Sequence, residues 1–542
     1  MAASRRVNGG GPAPGFTPLR RVTPEAAVAA LIAVTAVGRI VIAATTGLCF
    51  GESYYFSCAL HPSLSFFDHP PLSMLLGRLG LELAGEPGRL ALRVPFIALF
   101  AGTTWLLFLL GKRLFGAWAG FWAALLLNLS PIFTLSVGLF FQPEGPLMFF
   151  WVACAWCLAH VLLGAPARRA LGWWAAAGAM LGLGMLSKYA AVLLVAGAGL
   201  YVLTRREQRH WLRHPGPYLA LAIALVIFLP VVVWNAQHRW VSFIFQSTRG
   251  VEHFAGTRPD WLLTNIVGQA IVILPWLWAG LVVELIAGFA QRPREPARQF
   301  IAWLSVTPIV LFTGVAVWSR TSQTHFHWAT PGYLLLFLPL GERLYRGLTR
   351  RSRSYRWALG ATVTVTVVTV TVLTSHIATG WLQDLPVLSR VLYGIEDPTF
   401  ECVDMTGLER AFAERGLLDR PDVFVFSDWW FRAGKVDYAL KGRLPVLAFT
   451  RGDPRAFAFF HDAKQFLGKD GILVTTKTPA EVAGRFERYF ARITPLGEVR
   501  VGRRNRAEYT LYLYRGERLT MPYPQPYGES RRVLVGTPEA RP

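Results

Sequence analysis

The stretch Gly51-Glu52-Ser53-Tyr54-Tyr55, followed by Phe67-Asp68-His69-Pro70-Pro71-Leu72, lies between the first two long apolar runs of the chain. It brings two acids, an aromatic pair, a histidine and a double proline together within one connection. Pro70-Pro71 removes two backbone donors and restricts the preceding residue, so no regular helix runs through it. A connection between membrane spans that carries this many polar groups points to chemistry at the membrane surface.

Outward from it, apolar runs near 25–47, 92–110, 117–138, 145–164, 171–185, 190–203, 217–235, 262–290, 300–317, 328–345 and 357–379 predict about eleven transmembrane helices. The chain of 542 residues is 53% hydrophobic and 16% charged, which fits a polytopic membrane protein with soluble mass attached. The net charge of +22 is topological. Arginines and lysines crowd the loops at 5–21, 112–113, 168–169, 205–213, 292–298 and 343–356. The opposite loops hold only scattered cations, Arg78, Arg89, Lys188, Arg239, Arg249, Arg258 and Arg320. The positive-inside rule then puts the N-terminus in the cytoplasm and residues beyond 380 outside. This pattern argues against nucleic-acid binding. It also brings anionic membrane lipids within reach of the basic loops.

Four regions are expected: a loose tail (1–22), a membrane domain (23–380) whose 48–91 loop carries a short interfacial helix near 71–84, a soluble α/β domain (381–525), and a loose end (526–542). In the α/β domain, 422–426 and 471–475 read as buried strands and 508–514 as an alternating one. Thr406-x-x-Glu409 and Thr478-x-x-Glu481 read as capping boxes that open helices. With five cysteines no disulfide scaffold is implied, and nothing requires Cys49 and Cys58 on the outer side to pair. Cys154-x-x-Cys157 falls inside an apolar span and reads as packing.

The polar groups collect on the outer side. After the third run comes Phe141-Gln142-Pro143-Glu144-Gly145-Pro146, and between the fifth and sixth, Leu186-Ser187-Lys188-Tyr189. Trp234-Asn235-Ala236-Gln237-His238 and His325-Phe326-His327 follow. The spans themselves carry few charges, Arg39 and Glu284, which argues against ion-coupled transport. Each group has a structural alternative. Lys188 could snorkel to the interface, Glu144 could simply favour a helix N-terminus, and His325 with His327 at i,i+2 is a weak metal pair.

Glu-Ser-Tyr-Tyr, Phe-Asp-His-Pro-Pro-Leu, Pro-Glu-Gly-Pro, Leu-Ser-Lys-Tyr and Trp-Asn-Ala-Gln-His, in this order, resemble the protein mannosyltransferase-like superfamily (glycosyltransferase family 39), whose bacterial branch includes aminoarabinose transferases and Rgt-like transferases. The resemblance implies a GT-C fold at the periplasmic face of a bacterial inner membrane. It further implies a polyprenyl-phosphate sugar donor, inverting transfer, and a hydroxyl acceptor on an envelope glycan, lipid or protein. Onto that frame the expectation maps Glu52 as base, with Asp68 and Glu144 orienting hydroxyls or holding a divalent ion. Lys188, His69 and Arg249 are expected on the donor phosphate, and Tyr54, Tyr55, Asn235, Gln237 and His238 on substrate. Asp68, His325 and His327 are the weak candidates for a metal. Two positions depart from the family pattern: Gly51 stands where an Asp usually precedes Glu52, and Glu144 replaces an Asp. The alternative reading is a lipid-glycan binding or translocating protein that has lost catalysis.

Overall fold

A computed structural model describes residues 22–164, 169–249, 256–290, 295–385, 397–418, 420–450, 452–503, 506–524 and 527. Apart from Val22 and Tyr527, the two expected loose ends lie outside the described residues.

The apolar runs become helices in chain order: α1 (Pro24–Thr45), α2 (Phe50–Leu60), α3 (Leu72–Ala84), α4 (Arg89–Phe115), α5 (Ala117–Asn128), α6 (Glu144–Leu162), α7 (Ala170–Ser187), α8 (Leu193–Thr204) and α9 (Pro215–Gln237). They continue as α10 (Val241–Arg249), α11 (Pro259–Ile273), α12 (Pro275–Ala290), α13 (Pro296–Val315), α14 (Arg320–Thr324), α15 (Thr330–Leu334), α16 (Phe337–Thr349) and α17 (Arg353–Thr379). Among the described residues, seven helices are long and apolar enough to cross a membrane, or up to nine if each of two bent pairs counts as one span. Breaks inside several runs lower the count from eleven. The run at 262–290 becomes α11 and α12, which meet at 109° where Leu274 takes φ 93° and Pro275 restarts the helix. The run at 117–138 stops at Asn128, and after Ser130-Pro131 the chain makes a π-helical turn, Phe133–Val137. Helix α3 appears where the interfacial helix was expected, ended by Gly85 at φ 78°.

Helix α2 is the element with the weakest local signal. Its N-cap is Cys49 rather than Ser, Thr, Asp or Asn, and the Glu52 carboxylate at N3 reaches back to accept from the Cys49 N–H (3.0 Å).

The soluble domain is a five-stranded sheet ordered β2-β1-β3-β5-β4, from β1 (Val423–Ser427), β2 (Val446–Ala448), β3 (Asp470–Thr475), β4 (Phe490–Arg503) and β5 (Arg506–Leu519). Strands β2, β1 and β3 are parallel, while β5 and β4 run antiparallel. The continuous apolar run of β1 is buried along its whole length, as a central parallel strand requires. Its helices are α18 (Thr406–Glu414), α19 (Trp430–Ala439), α20 (Phe457–Phe460) and α21 (Pro479–Phe486). The Thr478–Glu481 capping box forms, with Glu481 accepting from the Thr478 N–H (2.9 Å). At α18 the box does not form, because Thr406 is already inside the helix behind Met405.

This domain is clamped onto α2. Helix α19 crosses so closely at Gly434 that an added Cβ would lie 2.8 Å from the Tyr54 Cα. Lys435 donates to the Leu48 and Val403 carbonyls, and Asp404 accepts from Arg89 (2.8 Å) and the Leu48 N–H (3.0 Å). A disulfide joins Cys49 to Cys402, so the partner of Cys49 is in the distant domain, while Cys58 is a buried free thiol. Cys154 and Cys157 are free and buried, packed in the helix bundle.

The same interface holds a titrating acid. Burial pushes the Asp437 carboxyl up to about 7, with the Ser57 hydroxyl offsetting part of the shift. The folded state therefore binds a proton that the unfolded chain releases near pH 4. Stability contributed at this site is greatest at low pH and falls as pH rises from about 4 to about 7. Asp437→Asn is expected to raise stability at pH 8 by about 1–3 kcal/mol and flatten that slope. Unfolding followed at several pH values checks it, and an unchanged slope would remove the assignment.

Candidate functional site

The double proline ends the extended stretch and turns Asp68 and His69 under the soluble domain. Asp68 is fully buried. Its Oδ1 accepts from the Tyr54 hydroxyl (2.8 Å), and its Oδ2 lies 2.9 Å from Arg455 Nη1 and 3.3 Å from His69 Nδ1. The Asp68 carbonyl accepts from Gln246 (2.6 Å). Burial alone would raise the Asp68 carboxyl, but His69, Arg455 and Tyr54 outweigh it and hold the group well below the usual carboxylate range. It is a fixed anion. Arg455 also lies over the Trp430 ring at 3.8 Å, so the clasp is packed as well as charged.

Glu144 opens α6, the position its proline-flanked turn favours. Its Oε1 lies 2.5 Å from Lys188 Nζ and 3.5 Å from His327 Nε2. Lys188 is placed by the break after α7, where its extended backbone ends one helix before the 3₁₀ turn Tyr189–Val192. His69 acts electrostatically on both Asp68 and Glu144, and the half-buried Tyr55 feels both carboxylates as well. The Tyr55 ring meets His69 edge-on at 5.6 Å. Asp68, His69, Tyr55, Glu144, Lys188 and His327 thus form one polar cluster. Lys188, His69 and His327 keep side-chain exposure of 17%, 13% and 35%.

Glu52, the expected base, has its carboxylate fully engaged within the protein. It is fully buried, and Arg93 grips it bidentately, Nε to Oε1 at 2.8 Å and Nη2 to Oε2 at 2.6 Å. The Cys49 N–H adds to Oε2 and the Phe141 N–H to Oε1, each at 3.0 Å. No oxygen is left to accept a substrate proton. Arg93 spends its remaining donors on Ala43, Thr46 and Gly47, so the pair ties the end of α1, the start of α2 and the loop before Glu144 together. Arg93 and Arg455 are the partners that sequence reading missed. The only signal for Arg93 is an arginine in the second turn of an apolar run.

Several of the residues expected at substrate also make structural contacts. Tyr54 is buried against Trp430 and accepts from the Ala456 N–H. Asn235 donates to the Val231 carbonyl and accepts from the Ser242 N–H, closing the turn after α9. His238 stacks on Trp234 at 4.0 Å, and Gln237 is exposed. The Arg249 side chain lies outside the described residues. His325 packs on Trp328 with its Nδ1 at the Thr321 carbonyl, and its ring centroid lies 5.7 Å from that of His327. Among the described residues no group of three or more His, Cys, Asp or Glu is gathered to hold a metal ion. Gly51 faces near-open space, its nearest neighbour for a Cβ being the Tyr55 ring at 3.8 Å.

Residues 68–234 match the family described as dolichyl-phosphate-mannose-protein mannosyltransferase. The lipid A galacturonosyltransferase RgtD of Rhizobium johnstonii is 26% identical over 315 residues, 54% of this chain. That match spans 62% of the relative's length. The structure of ArnT from Cupriavidus metallidurans in the apo state covers 90% of this chain and 97% of its own, with TM-score 0.63 at 16% identity. The same protein bound to undecaprenyl phosphate superposes over the same shares with TM-score 0.59. At that identity the ArnT structures speak for the fold. Motif order, the match over residues 68–234 and the shared fold agree that this multi-pass membrane chain is similar to protein mannosyltransferase-like proteins and has the GT-C fold.

Proposed function

We propose that the chain moves a sugar from a polyprenyl-phosphate donor to a hydroxyl of a cell-envelope acceptor at the periplasmic face of a bacterial inner membrane. The observation that carries this reading is the single cluster of Glu144, Lys188, His69 and His327. It pairs one carboxylate with three potential cations at the end of the helix bundle, beneath the soluble domain. Inverting transfer needs that combination: a base for the acceptor hydroxyl, and positive or donating groups for the phosphate that leaves.

In the proposed step, Glu144 Oε2 takes the proton of the acceptor hydroxyl. The freed oxygen attacks the anomeric carbon, and the bond from that carbon to the phosphate oxygen breaks. Lys188, with His69 and His327, meets the departing phosphate, and Arg249 keeps its expected place among these contacts. Asp68 anchors the soluble domain through Arg455 and orients His69. An apolar cavity of about 450 Å³, lined by Leu263, Val267, Ile271 and Phe326, lies one residue from His327 and has room for isoprenoid units. Two relatives, ArnT in its undecaprenyl phosphate complex and the lipid A galacturonosyltransferase RgtD, support a lipid-linked donor and a glycolipid acceptor.

The orientation in this reading has the N-terminus in the cytoplasm and residues 381–525 outside, over a catalytic membrane domain at 23–380. The Cys49–Cys402 disulfide supports it, because such bonds persist in oxidising compartments.

One observation favours a second reading, a binding or translocating protein without turnover: Gly51 supplies no acid and Glu52 is fully engaged. Purified protein incubated with a panel of polyprenyl-phosphate sugars and acceptor glycolipid separates the two. Turnover in the native chain carries the first reading. Binding without turnover, with transfer appearing only in Gly51→Asp, carries the second.

A further inference from the structure

At the other end of α13 from the polar cluster lies a group of charges that the proposed reaction does not use. Helix α13 places Arg298 in its first turn, and the 17 residues to Val315 separate it from the outer end by about 26 Å. Arg298 is nearly buried and reaches Glu284 on α12 (2.6 Å), Glu295 (3.0 Å) and Glu342 on α16. Glu284 and Glu342 in turn hold Arg343 and Arg346. The arginines these carboxylates hold line a cavity of about 470 Å³, together with Gly347, Arg350, Ser352 and Tyr355.

The cavity is built from three helices. Arg343, Arg346 and Arg350 recur at i, i+3 and i+7 and so share one face of α16 and its end. Gly347 lets the following turn fold back, because a Cβ there would lie 2.4 Å from the Tyr355 ring. Arg343 and Arg346 remain 41% and 64% exposed despite their ion pairs, and exposed Arg350 has no carboxylate partner among the described residues. The ion pairs therefore fix Arg298, Arg343 and Arg346 at the cavity wall, and the exposure of Arg343, Arg346 and Arg350 leaves donors and positive charge toward solvent. Trp357, two residues beyond Tyr355, is 78% exposed on the outside of α17. An exposed tryptophan at the end of an apolar helix marks the headgroup level of a bilayer.

We propose that this cavity binds the phosphate-bearing headgroup of an anionic phospholipid from the leaflet that faces the basic loops. Arginine forks match phosphate oxygens in pairs, and basic pockets between membrane helices at this depth take such headgroups. Free phosphate has the same chemistry, but the Trp357 level and the opening at a helix end favour the lipid. The site is independent of the sugar-transfer reading.

Native mass spectrometry of the purified full chain, exchanged into mixtures of cardiolipin, phosphatidylglycerol and phosphatidylcholine, tests it. Anionic lipid is expected to be retained over phosphatidylcholine by about tenfold. Arg346→Gln with Arg350→Gln, both at exposed positions, is expected to cut that preference to threefold or less. Arg206→Gln with Arg213→Gln, exposed cations of the same side outside the cavity, is expected to leave it. Absence of any preference in the native chain, which depends on no variant folding, would overturn the proposal. So would equal loss in the two pairs, which would mean diffuse surface charge, or displacement of the lipid by millimolar inorganic phosphate, which would mean a soluble anion.

Discussion

Glu52→Gln is expected to destabilise the protein by about 3–5 kcal/mol, the cost of leaving a buried charge without its partner. The amide still accepts at one end, but its NH2 would face the guanidinium of Arg93, donor against donor. Both side chains are fully buried, so water cannot make up the loss. Arg93→Lys should fail similarly, since an ammonium cannot make the two parallel bonds to Oε1 and Oε2 or reach the carbonyls of Ala43, Thr46 and Gly47 together. The double replacement Glu52→Gln with Arg93→Met should cost less than the sum of the singles, because the orphaned charge is gone. Thermal unfolding in detergent reads all three. Transfer per folded molecule should fall less than tenfold in Glu52→Gln. A loss of a thousandfold with Tm unchanged would return Glu52 to the role of base.

Glu144→Gln has the opposite signature. Sugar transfer is expected to fall by about 10²–10⁴, the range for removal of a general base, while Tm changes little. Glu144 retains side-chain exposure of 6% and has Lys188 at 2.5 Å, so its amide replacement keeps a neighbour to accept from. Lys188→Met should lower transfer as well, through the leaving phosphate. Its loss should appear mainly in the chemical step, measured by single-turnover transfer with donor saturating. If Glu144→Gln turns over at the native rate, Glu144 is an α6 N-terminal acid and the proposed mechanism fails.

The membrane domain was legible because apolar runs and loop charges are local signals. Asp68, Glu144 and Lys188 are each a polar group at the end of a run, a local signal too, and the structure gathers them in one cluster. What was not legible was who holds whom. Arg93 meets Glu52 from 41 residues away, and Arg455 reaches Asp68 across 387. A carboxylate in a motif looks reactive until its cation is seen, and that is why Glu52 reads as a base in the sequence and as a strut in the structure. Helix α2 escaped detection because its cap is a cysteine. In the soluble domain, β1 and β3 announced themselves by continuous apolar character. Their order beside β2 and β5 depends on pairings that no local pattern encodes.

The Cys49–Cys402 bond also sets an order of events during biogenesis. The two sulfurs are 353 residues apart, with the helix bundle between them in sequence. At ordinary translation rates the second cysteine emerges on the order of 20–70 s after the first. Through that interval Cys49 waits as a thiol within reach of Cys58, only nine positions on. In the proposed orientation, the correct bond can close only after the helices before Cys402 have entered the bilayer and the last domain has crossed. Oxidation at this site is thus a completion signal: a chain truncated in any helix before Cys402 cannot make the bond that locks α2.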